Sequence, residues 1–545
     1  MRLLVRGLVA GAIFALAAHG HAQAPAAAKL AGRITSATEP RMEGVLVSAR
    51  KAGSTITHTV VTDASGTFDF APAALTAGRY ALQIRAIGFE LDGKAEIEVP
   101  AANVELKLRK TRDLASQLTN TEWFISMPGT AEQKRPLIEC MSCHTFERIA
   151  RSTHKPDAMY DVLKRMATYA INTTPDKKQL RAKSRPFNEA TFRALAAYLA
   201  SINLSKGSNW SYPLKTLPRP RGQATRVLIT EYDLPRRTIA PHDVLTDAAG
   251  IAWYSNFLEN TLGRLDPRTG EHREFTWPTV KKGAPEGSLA MEPDRDGNWW
   301  LAAMFQTGLV RFNVKDNTFT MFPLPADLNN SEAQQSMVQP RQSHVDGKVW
   351  STDIGRQVIL RLDLASGKYE TIDPFKYMPE GTNHSPYGLA ADEKNNLFLM
   401  DFGDEVIARM DAKTLETTIY PTPSPRSRPR RAMRDAQGRI WFAEYAANKV
   451  AMFDPVKETF KEWATPTPFS YPYDVFLDKN NELWAANMSN DRVLRLSPAS
   501  GKSFEYLLPR QTNVRRVWVD DRAAPVTFWV GSNHGASIVK LSPLD

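Results

Sequence analysis

Apolar and polar residues alternate in short runs between residues 29 and 110. Turn residues separate the runs, and a period of two at regular spacing is typical of strands with one buried face. The pattern predicts a small antiparallel β-sandwich over residues 29–110. Its expected strands are Val45–Ala49, Thr57–Val61, Thr67–Phe70, Tyr80–Ile84 and Val104–Leu108.

The pattern becomes helical after Lys110. Helices are predicted over Gln133–Phe146, Asp157–Tyr169 and Asn188–Ile202. Apolar residues recur at helical spacing in the third helix, which should pack against the second. We expect a helical domain over residues 112–207, followed by a proline-containing stiff linker at 208–224.

Aromatic residues recur after a turn throughout residues 225–545. The intervals between them are 43 to 50 residues, the length of a four-stranded propeller blade. Seven repeats predict a seven-bladed β-propeller. The strand around Ile229–Pro235 resembles the outer strand of other blades, so we expect it to complete the last blade and close the ring. The key aromatics are Trp253, Trp300, Trp350, Phe398, Trp441, Trp484 and Trp529.

The first 22 residues have the pattern of an export signal. Arg2 and Arg6 precede the apolar run Leu8–Ala18, and small residues follow, with cleavage expected after Ala22. No later apolar run approaches the roughly 20 residues of a transmembrane helix. We therefore expect a mature periplasmic protein with no integral membrane segment.

Length and charge add less to the interpretation. A chain of 545 residues predicts three or four domains, so the fold class is multidomain and mainly β. The formal charge of +10 is spread along the chain, which suits encounters with acidic redox partners as well as an ordinary solvated surface. No basic helix or interleaved basic and aromatic pattern indicates a nucleic-acid partner.

The only two cysteines lie in the motif Cys140-Met141-Ser142-Cys143-His144. Two thiols at this spacing can attach to the two vinyl groups of one porphyrin, and the adjacent histidine can ligate its iron. A zinc site would need a second pair of ligands nearby, and a thioredoxin-like redox pair would leave the histidine unexplained. The motif predicts covalently attached haem c.

The sixth iron position has several candidates. The step Lys164-Arg165-Met166 favours Met166, because distal methionines follow an Arg-Met step in haem domains of several periplasmic quinohaem enzymes. Met159 is the alternative, and His154 and Met127 are further candidates. Either helical methionine could instead be core filler.

Two sets of equivalent positions in the blades should converge on the propeller axis. They are the residue three after each key aromatic and the residue after each leading proline. Converging polar groups could form a substrate or metal site, although acidic residues after a strand are often turn formers. The candidates are His242, Glu286, Asp353, Asp401, Glu444, Arg341 and Arg430.

Three family resemblances accompany these patterns. Residues 29–110 resemble carboxypeptidase regulatory-like domains, through Thr62–Phe68 and Ala77–Tyr80, which implies a non-catalytic sandwich. Residues 112–207 resemble cytochrome c-like domains through the cysteine motif and the closing helix around Leu195–Leu199.

Residues 225–545 resemble streptogramin (virginiamycin B) lyase-like propellers, through repeats of the form P-x-x-[VLI]-x-x-D-x-x-G-x-[IL]-W-[FY]. In that family a Glu-Pro-His step supplies a magnesium ligand and a general base. Here the step is Ala240-Pro241-His242, so alanine replaces the metal-binding glutamate.

Three functions follow as hypotheses. The first is a periplasmic haem oxidoreductase or electron carrier whose propeller binds a small substrate or a redox partner. The second is a lyase with His242, or else His384 or His344, as the base and a divalent metal such as Mg²⁺. The third is a binding protein whose haem senses redox state or a gas.

Overall fold

The structure is a computed structural model that describes residues 27–545 except 208, 307, 380 and 381. The predicted signal segment, residues 1–22, therefore lies outside the described residues. No helix among the residues described is long and apolar enough to cross a membrane.

The N-terminal β-sandwich is confirmed. One sheet has the order β4-β1-β8-β6, and the other contains β3-β2-β5-β7. Leu30, Val45, Val47 and Phe68 are fully or almost fully buried between the sheets. The strands are β1 (Leu30–Ser36), β2 (Leu46–Lys51), β3 (Ile56–Val61), β4 (Thr67–Asp69), β5 (Gly78–Arg85), β6 (Phe89–Asp92), β7 (Glu96–Val99) and β8 (Ala101–Lys110).

The next segment is helical, as predicted. The helix expected over Gln133–Phe146 is instead a short α-helix, a 3₁₀ helix over Arg135–Ser142 and another short α-helix, and Pro136 supplies no N–H to an α-helical ladder there. The α-helices are α1 (Asn120–Ser126), α2 (Ala131–Lys134), α3 (Glu147–Ala150), α4 (Pro156–Ala167) and α5 (Glu189–Ile202).

Residues 209–224 connect the helices to the propeller and are packed along their length. The hydroxyl of Tyr212 donates to the carbonyl of Ile202 at 2.8 Å, and the amide of Leu217 donates to Glu122 at 2.7 Å. This connection is therefore anchored as well as stiffened by its prolines.

The propeller has seven four-stranded blades, as predicted. Six blades are β10–β13, β14–β17, β18–β21, β22–β25, β26–β29 and β30–β33, and the seventh is β34-β35-β36 completed by β9. One short helix, α6 (Ser343–Asp346), lies in the third blade.

The strands of the ring, in chain order, begin with β9 (Val227–Asp233), β10 (Pro241–Thr246), β11 (Ala252–Asn256), β12 (Thr261–Leu265), β13 (His272–Thr276), β14 (Met291–Pro293), β15 (Trp299–Ala302), β16 (Leu309–Asn313), β17 (Thr318–Phe322), β18 (Gln335–Gln339), β19 (Lys348–Asp353), β20 (Val358–Asp363), β21 (Tyr369–Ile372) and β22 (Pro386–Ala391). They continue with β23 (Leu397–Asp401), β24 (Val406–Met410), β25 (Thr417–Pro421), β26 (Pro429–Arg434), β27 (Ile440–Glu444), β28 (Lys449–Asp454), β29 (Thr459–Ala464), β30 (Pro472–Leu477), β31 (Leu483–Asn487), β32 (Arg492–Leu496), β33 (Ser503–Leu507), β34 (Trp518–Asp520), β35 (Thr527–Ser532) and β36 (Ser537–Pro543).

The repeated Asp-x-x-Gly-x-Ile/Leu-Trp motif closes the turn between the first two strands of a blade. Asp435 accepts backbone N–H groups of Gln437 and Arg439 through Oδ1, and its Oδ2 accepts the indole N–H of Trp441 at 2.8 Å. One carboxylate thus satisfies the turn and fixes the key aromatic ring.

Strand β9 has a second role that the sequence pattern did not predict. It pairs with β36 of the last blade on one side and with β3 of the sandwich on the other. The sandwich and the seventh blade therefore share one eight-stranded sheet.

Candidate functional site

The cysteine motif lines a cavity of about 720 Å³ in the helical segment. The walls come from the 3₁₀ helix that carries Cys140, from α4 and α5, and from the loop that follows α4. Leu163 and Leu199 contribute apolar surface. This volume lies within the range of about 300–1,000 Å³ that is usual for cofactor and ligand sites.

The three chemically distinctive residues of the motif all line this cavity. Burial raises the pKa of Cys140 to about 12 and also raises that of Cys143, so both thiols are neutral. Nδ1 of His144 donates to the carbonyl of Thr145 at 2.9 Å. Its Nε2 forms no hydrogen bond with any described residue, and burial lowers the pKa of the ring, so a neutral nitrogen is available as a metal ligand.

Helix α4 places both candidate methionines on the cavity wall. Met159 is buried and Met166 is half-buried, seven residues apart, so both lie on one face of the helix. His154 also lines the cavity, whereas Met127 is buried in the core and is not among the lining residues.

Basic side chains line part of the same cavity. Arg148, Arg165, Lys178 and Arg185 contribute to its wall, and Glu139 is the acidic residue there. Such a wall suits a largely apolar ligand that carries carboxylates at its edge, because guanidinium groups bind carboxylates with paired hydrogen bonds.

The pairing register of the inner strands defines two rings of residues around the propeller axis. Each key aromatic pairs with a residue of the first strand of its blade. The residue three positions before that pairing residue belongs to the upper ring, and the residue two positions before it belongs to the lower ring. The upper ring is His242, Leu289, Ser336, Tyr387, Arg430, Tyr473 and Arg515. The lower ring is Asp243, Ala290, Met337, Gly388, Arg431, Asp474 and Arg516.

A hydrogen-bond chain links the two rings. The hydroxyls of Tyr387 and Tyr473 are 2.6 Å apart, and that of Tyr473 lies 3.4 Å from Nε2 of His242. Nδ1 of His242 donates to Asp243 at 2.7 Å, and Arg431 binds the same carboxylate through two nitrogens at 2.9 and 3.0 Å. Burial lowers the pKa of His242 to about 3, so the imidazole is neutral.

The propeller holds the cysteine motif directly. Arg515 donates to the carbonyl of Ser142 at 2.6 Å, and His534 donates to the same oxygen at 3.2 Å. Asn513 donates to the carbonyl of Met141 at 3.1 Å. The helical segment is therefore docked with its motif against the upper ring.

The loop after α4 makes a second contact between the two parts. Asn172 donates to the carbonyl of Phe257 at 3.0 Å, and Gln179 exchanges hydrogen bonds with the backbone of Glu286. Part of the cavity wall is thus fixed by the propeller.

The structure places two candidates of the predicted axial set in the upper ring and the others elsewhere. These two are His242 and Arg430. Arg341 has a half-exposed side chain and binds Glu292 at 3.0 Å. Glu292 in turn contacts Arg516 of the lower ring. Glu286 pairs with Lys177 of the helical segment at 2.8 Å. The register places Leu289 and Ser336 in the upper ring, at the positions predicted for Glu286 and Arg341, because the leading proline of these two blades lies at a different distance from the key aromatic.

The predicted acidic positions after the second strand of each blade serve the loops. Asp353 accepts from the amides of Gln334 and Gly355 and pairs with Arg356. Asp401 accepts from Ser385, Gly403 and His384. Glu444 is fully buried, and neither of its carboxylate oxygens has a hydrogen-bond donor among the described residues.

Three potential metal ligands also come together in the fourth blade, namely His384, Asp401 and Asp404. Nδ1 of His384 is bonded to Asp401 at 2.5 Å, and its Nε2 to Thr382 at 2.7 Å. Since both ring nitrogens are already engaged, the geometry does not favour a divalent metal at this place.

The residues missed by sequence reasoning are the charged members of the lower ring and their partners. Asp243, Arg431, Asp474 and Arg516 follow upper-ring residues directly, and Glu292 pairs with Arg516. A signal was present, because adjacent charged residues are rarely buried, and the sequence carries the pair Arg430-Arg431 in the first strand of the fifth blade and the pair Arg515-Arg516 just before β34.

Comparisons with known proteins agree with the two β domains. Residues 375–543 match the model of the virginiamycin B lyase family, and residues 29–109 match that of the carboxypeptidase regulatory-like domain. The later blades thus match a lyase family. No curated protein matches the chain.

Solved structures with similar folds include a streptogramin B lyase, at 20% identity over 58% of this chain and 97% of that chain, with a TM-score of 0.49. The virginiamycin B lyase of Staphylococcus aureus is 18% identical over 58% of this chain and 98% of its own, with a TM-score of 0.49. YCF48 bound to a D1 peptide is 13% identical over 57% and 93%, with a TM-score of 0.41. The seven-bladed assignment rests on the strand pairing of this chain.

Proposed function

We propose that the protein is an exported, periplasmic c-type haem protein that acts in electron transfer or as an oxidoreductase. The observation that carries this proposal is the cavity of about 720 Å³ on which Cys140, Cys143 and His144 converge. The two thiols are neutral, one nitrogen of the histidine is free, and the wall contains both apolar and basic side chains.

Each residue has a role in holding the cofactor. Cys140 and Cys143 would attach haem covalently, and Nε2 of His144 would bind its iron. The hydrogen bond from Nδ1 to Thr145 fixes the tautomer in which Nε2 carries the lone pair. Bound haem would supply one-electron chemistry.

The surrounding residues would set the properties of that centre. Leu163, Leu199 and the other apolar lining residues would keep water away from the haem. A charged state of the iron is less stable in such surroundings than in water, so this lining would tune the reduction potential. Arg148, Arg165, Lys178 and Arg185 would bind its carboxylates. Met166 is the proposed sixth ligand and Met159 the alternative. The propeller would bind a small-molecule substrate or a periplasmic redox partner.

The test is maturation in a host that attaches haem to exported proteins. We expect pigment that stays with the chain after denaturation and disappears in the double variant Cys140→Ser, Cys143→Ser. Met127→Leu, which alters a buried residue outside the cavity lining, is the matched control and should keep the pigment. Pigment that is released on denaturation, or an unpigmented wild type, would refute the proposal.

A lyase of the streptogramin type is the second candidate, favoured by the family match over residues 375–543. Against it, Ala240 cannot ligate a metal, and His242 is fully buried with both nitrogens facing protein groups. Electrostatic support of a developing anion is commonly worth about a hundredfold or more in rate. We expect no ring opening of a streptogramin above background, even with added magnesium.

Metal-dependent ring opening by the wild type that is lost in His242→Ala would make the lyase the main function. The variant Ala240→Glu tests whether restoring the acidic residue is enough. Reduction of the haem by a candidate substrate would distinguish an oxidoreductase from a protein that only senses redox state.

A further inference from the structure

The centre of the propeller contains more buried positive charge than negative charge. Arg430, Arg431 and Arg515 are buried there, and Arg516 is largely buried. Three carboxylates face these arginines, from Asp243, Asp474 and Glu292. His242 is neutral. Arg341 approaches Glu292 with a half-exposed side chain and adds a further positive charge.

The lower ring is internally paired. Arg431 binds Asp243 through two nitrogens, and Arg516 lies 2.5 Å from Glu292 and 3.4 Å from Asp474. Each of these arginines therefore has a carboxylate within contact distance. The excess charge must belong to the upper ring.

Arg430 and Arg515 are the two cations of the upper ring, and neither has a carboxylate within 4.0 Å among the described residues. Arg430 is 8% exposed and lies among aromatic rings, with its guanidinium carbon 3.8 Å from the ring centre of Tyr473 and 4.1 Å from that of Phe402. Its Nε has no hydrogen-bond partner in the described part of the chain. Among the described residues, Arg515 donates only to neutral oxygens, those of Asn513 and Ser142.

Aromatic rings and neutral oxygens surround this charge, and the part of the chain that the structure describes supplies no counter-ion to it. Burying an unpaired ion costs several kcal/mol even after relaxation of the protein, so the arrangement calls for an anion. Burial alone would raise the pKa of Tyr473, but Arg430, Arg515 and Arg431 together lower it below the ordinary value. The potential in the upper ring is therefore positive.

We propose that the upper ring binds one small anion, a carboxylate or another oxyanion, between Arg430 and Arg515. Guanidinium groups suit such ligands because their N–H donors match two oxygens at once. The hydroxyls of Tyr387 and Tyr473 supply further polar contacts, and Phe257 and Tyr445 restrict the size of the ligand.

This site belongs to the propeller and does not depend on haem. If the proposed function is correct, the anion would lie beside the haem motif, because Arg515 also donates to the carbonyl of Ser142. It would then be in the place where an oxidoreductase of this design would hold a small anionic substrate.

The test is calorimetric titration of the full chain with formate and with nitrate in a buffer free of other small anions. We expect saturable binding of one anion per chain, weakened at least about tenfold in Arg430→Gln and in Arg515→Gln, the loss expected for one charge-assisted hydrogen bond. Arg434→Gln is the matched control, since Arg434 lies in the same strand as Arg430 and pairs with Glu393 on the surface. Control binding should equal that of the wild type.

A second measurement needs no variant. Crystals of the wild-type protein soaked in bromide should show an anomalous peak between the two guanidinium groups. The proposal fails if neither formate nor nitrate binds saturably, if both arginine variants bind as the wild type does, or if no peak is found.

A third measurement distinguishes the alternative counter-ion. A tyrosinate at Tyr473 would give a near-ultraviolet difference band at neutral pH that Tyr473→Phe removes. A band that persists on saturation with formate would show that the phenolate compensates the arginines, and would overturn the proposal. Because none of these readouts uses haem, they separate this inference from the function proposed above.

Discussion

Glu444→Gln is expected to stabilise the protein more as the pH rises. Glu444 ends the second strand of the fifth blade, is fully buried, and lies beside Glu462, which is bound by Lys449 at 2.6 Å. Burial, reinforced by the charge of Glu462, raises the pKa of Glu444 to about 8. When protonated, Glu444 can donate to Glu462, but as an anion it has no hydrogen-bond donor within the described ranges.

The neighbouring blade shows what an amide does at this position. Asn487 is the equivalent of Glu444, and its Nδ2 donates to Glu505, the equivalent of Glu462, at 2.8 Å. Glutamine at position 444 would make the same kind of bond at every pH. The substitution should therefore remove the cost of ionisation while retaining the contact.

The magnitude follows from the two pKa values. With 4.5 in the unfolded chain and about 8 in the fold, ionisation at pH 7 lowers the free energy of unfolding by about 3 kcal/mol, since each pH unit between these values is worth about 1.4 kcal/mol. A raised carboxyl pKa gives stability that is fully present below pH 4.5 and lost as the pH rises towards 8. The advantage of the variant should grow from about 1 kcal/mol at pH 5 to about 3 kcal/mol at pH 7.

The assay is urea unfolding of wild type and variant between pH 5 and 8, followed by tryptophan fluorescence. Glu271→Gln changes an exposed glutamate in the loop before β13 and is the control for loss of one negative charge, so it should give the same small difference at every pH. A gap between Glu444→Gln and wild type that does not change with pH would refute the reasoning.

Two further predictions concern the helical segment and the axis. Met166→Ala should remove the sulfur-to-iron absorption band of the mature haem protein and lower its reduction potential, whereas Met159→Ala should not; the reverse result would assign Met159. Gly388→Ala should lower the thermal midpoint by the equivalent of about 1–3 kcal/mol, because the added Cβ would lie 2.0 Å from the carbonyl oxygen of Arg430 in the next blade. Calorimetry would check this, and an unchanged midpoint would contradict the close approach.

Local patterns in the sequence determined the sandwich, the helical segment, the number of blades and the strand that closes the ring. Each depends on residues that are near in the chain, as with Asp435, which holds its own turn and Trp441. The spacing of Cys140, Cys143 and His144 likewise predicted a haem site without tertiary information. Motifs that are complete within a few residues can be recognised from the sequence alone.

The tertiary structure decided what lies at the axis and what covers it. Arg431 and Asp243 are 188 residues apart in the chain, and Arg515 is 373 residues from Ser142. No local period encodes which charges of different blades meet. In two blades whose leading proline lies at a different distance from the key aromatic, the sequence placed Glu286 and Arg341 where Leu289 and Ser336 lie. The reason is physical: a blade specifies its own strands by alternation and turns, whereas the pairing of buried charges depends on the closed ring, which brings distant strands to one axis.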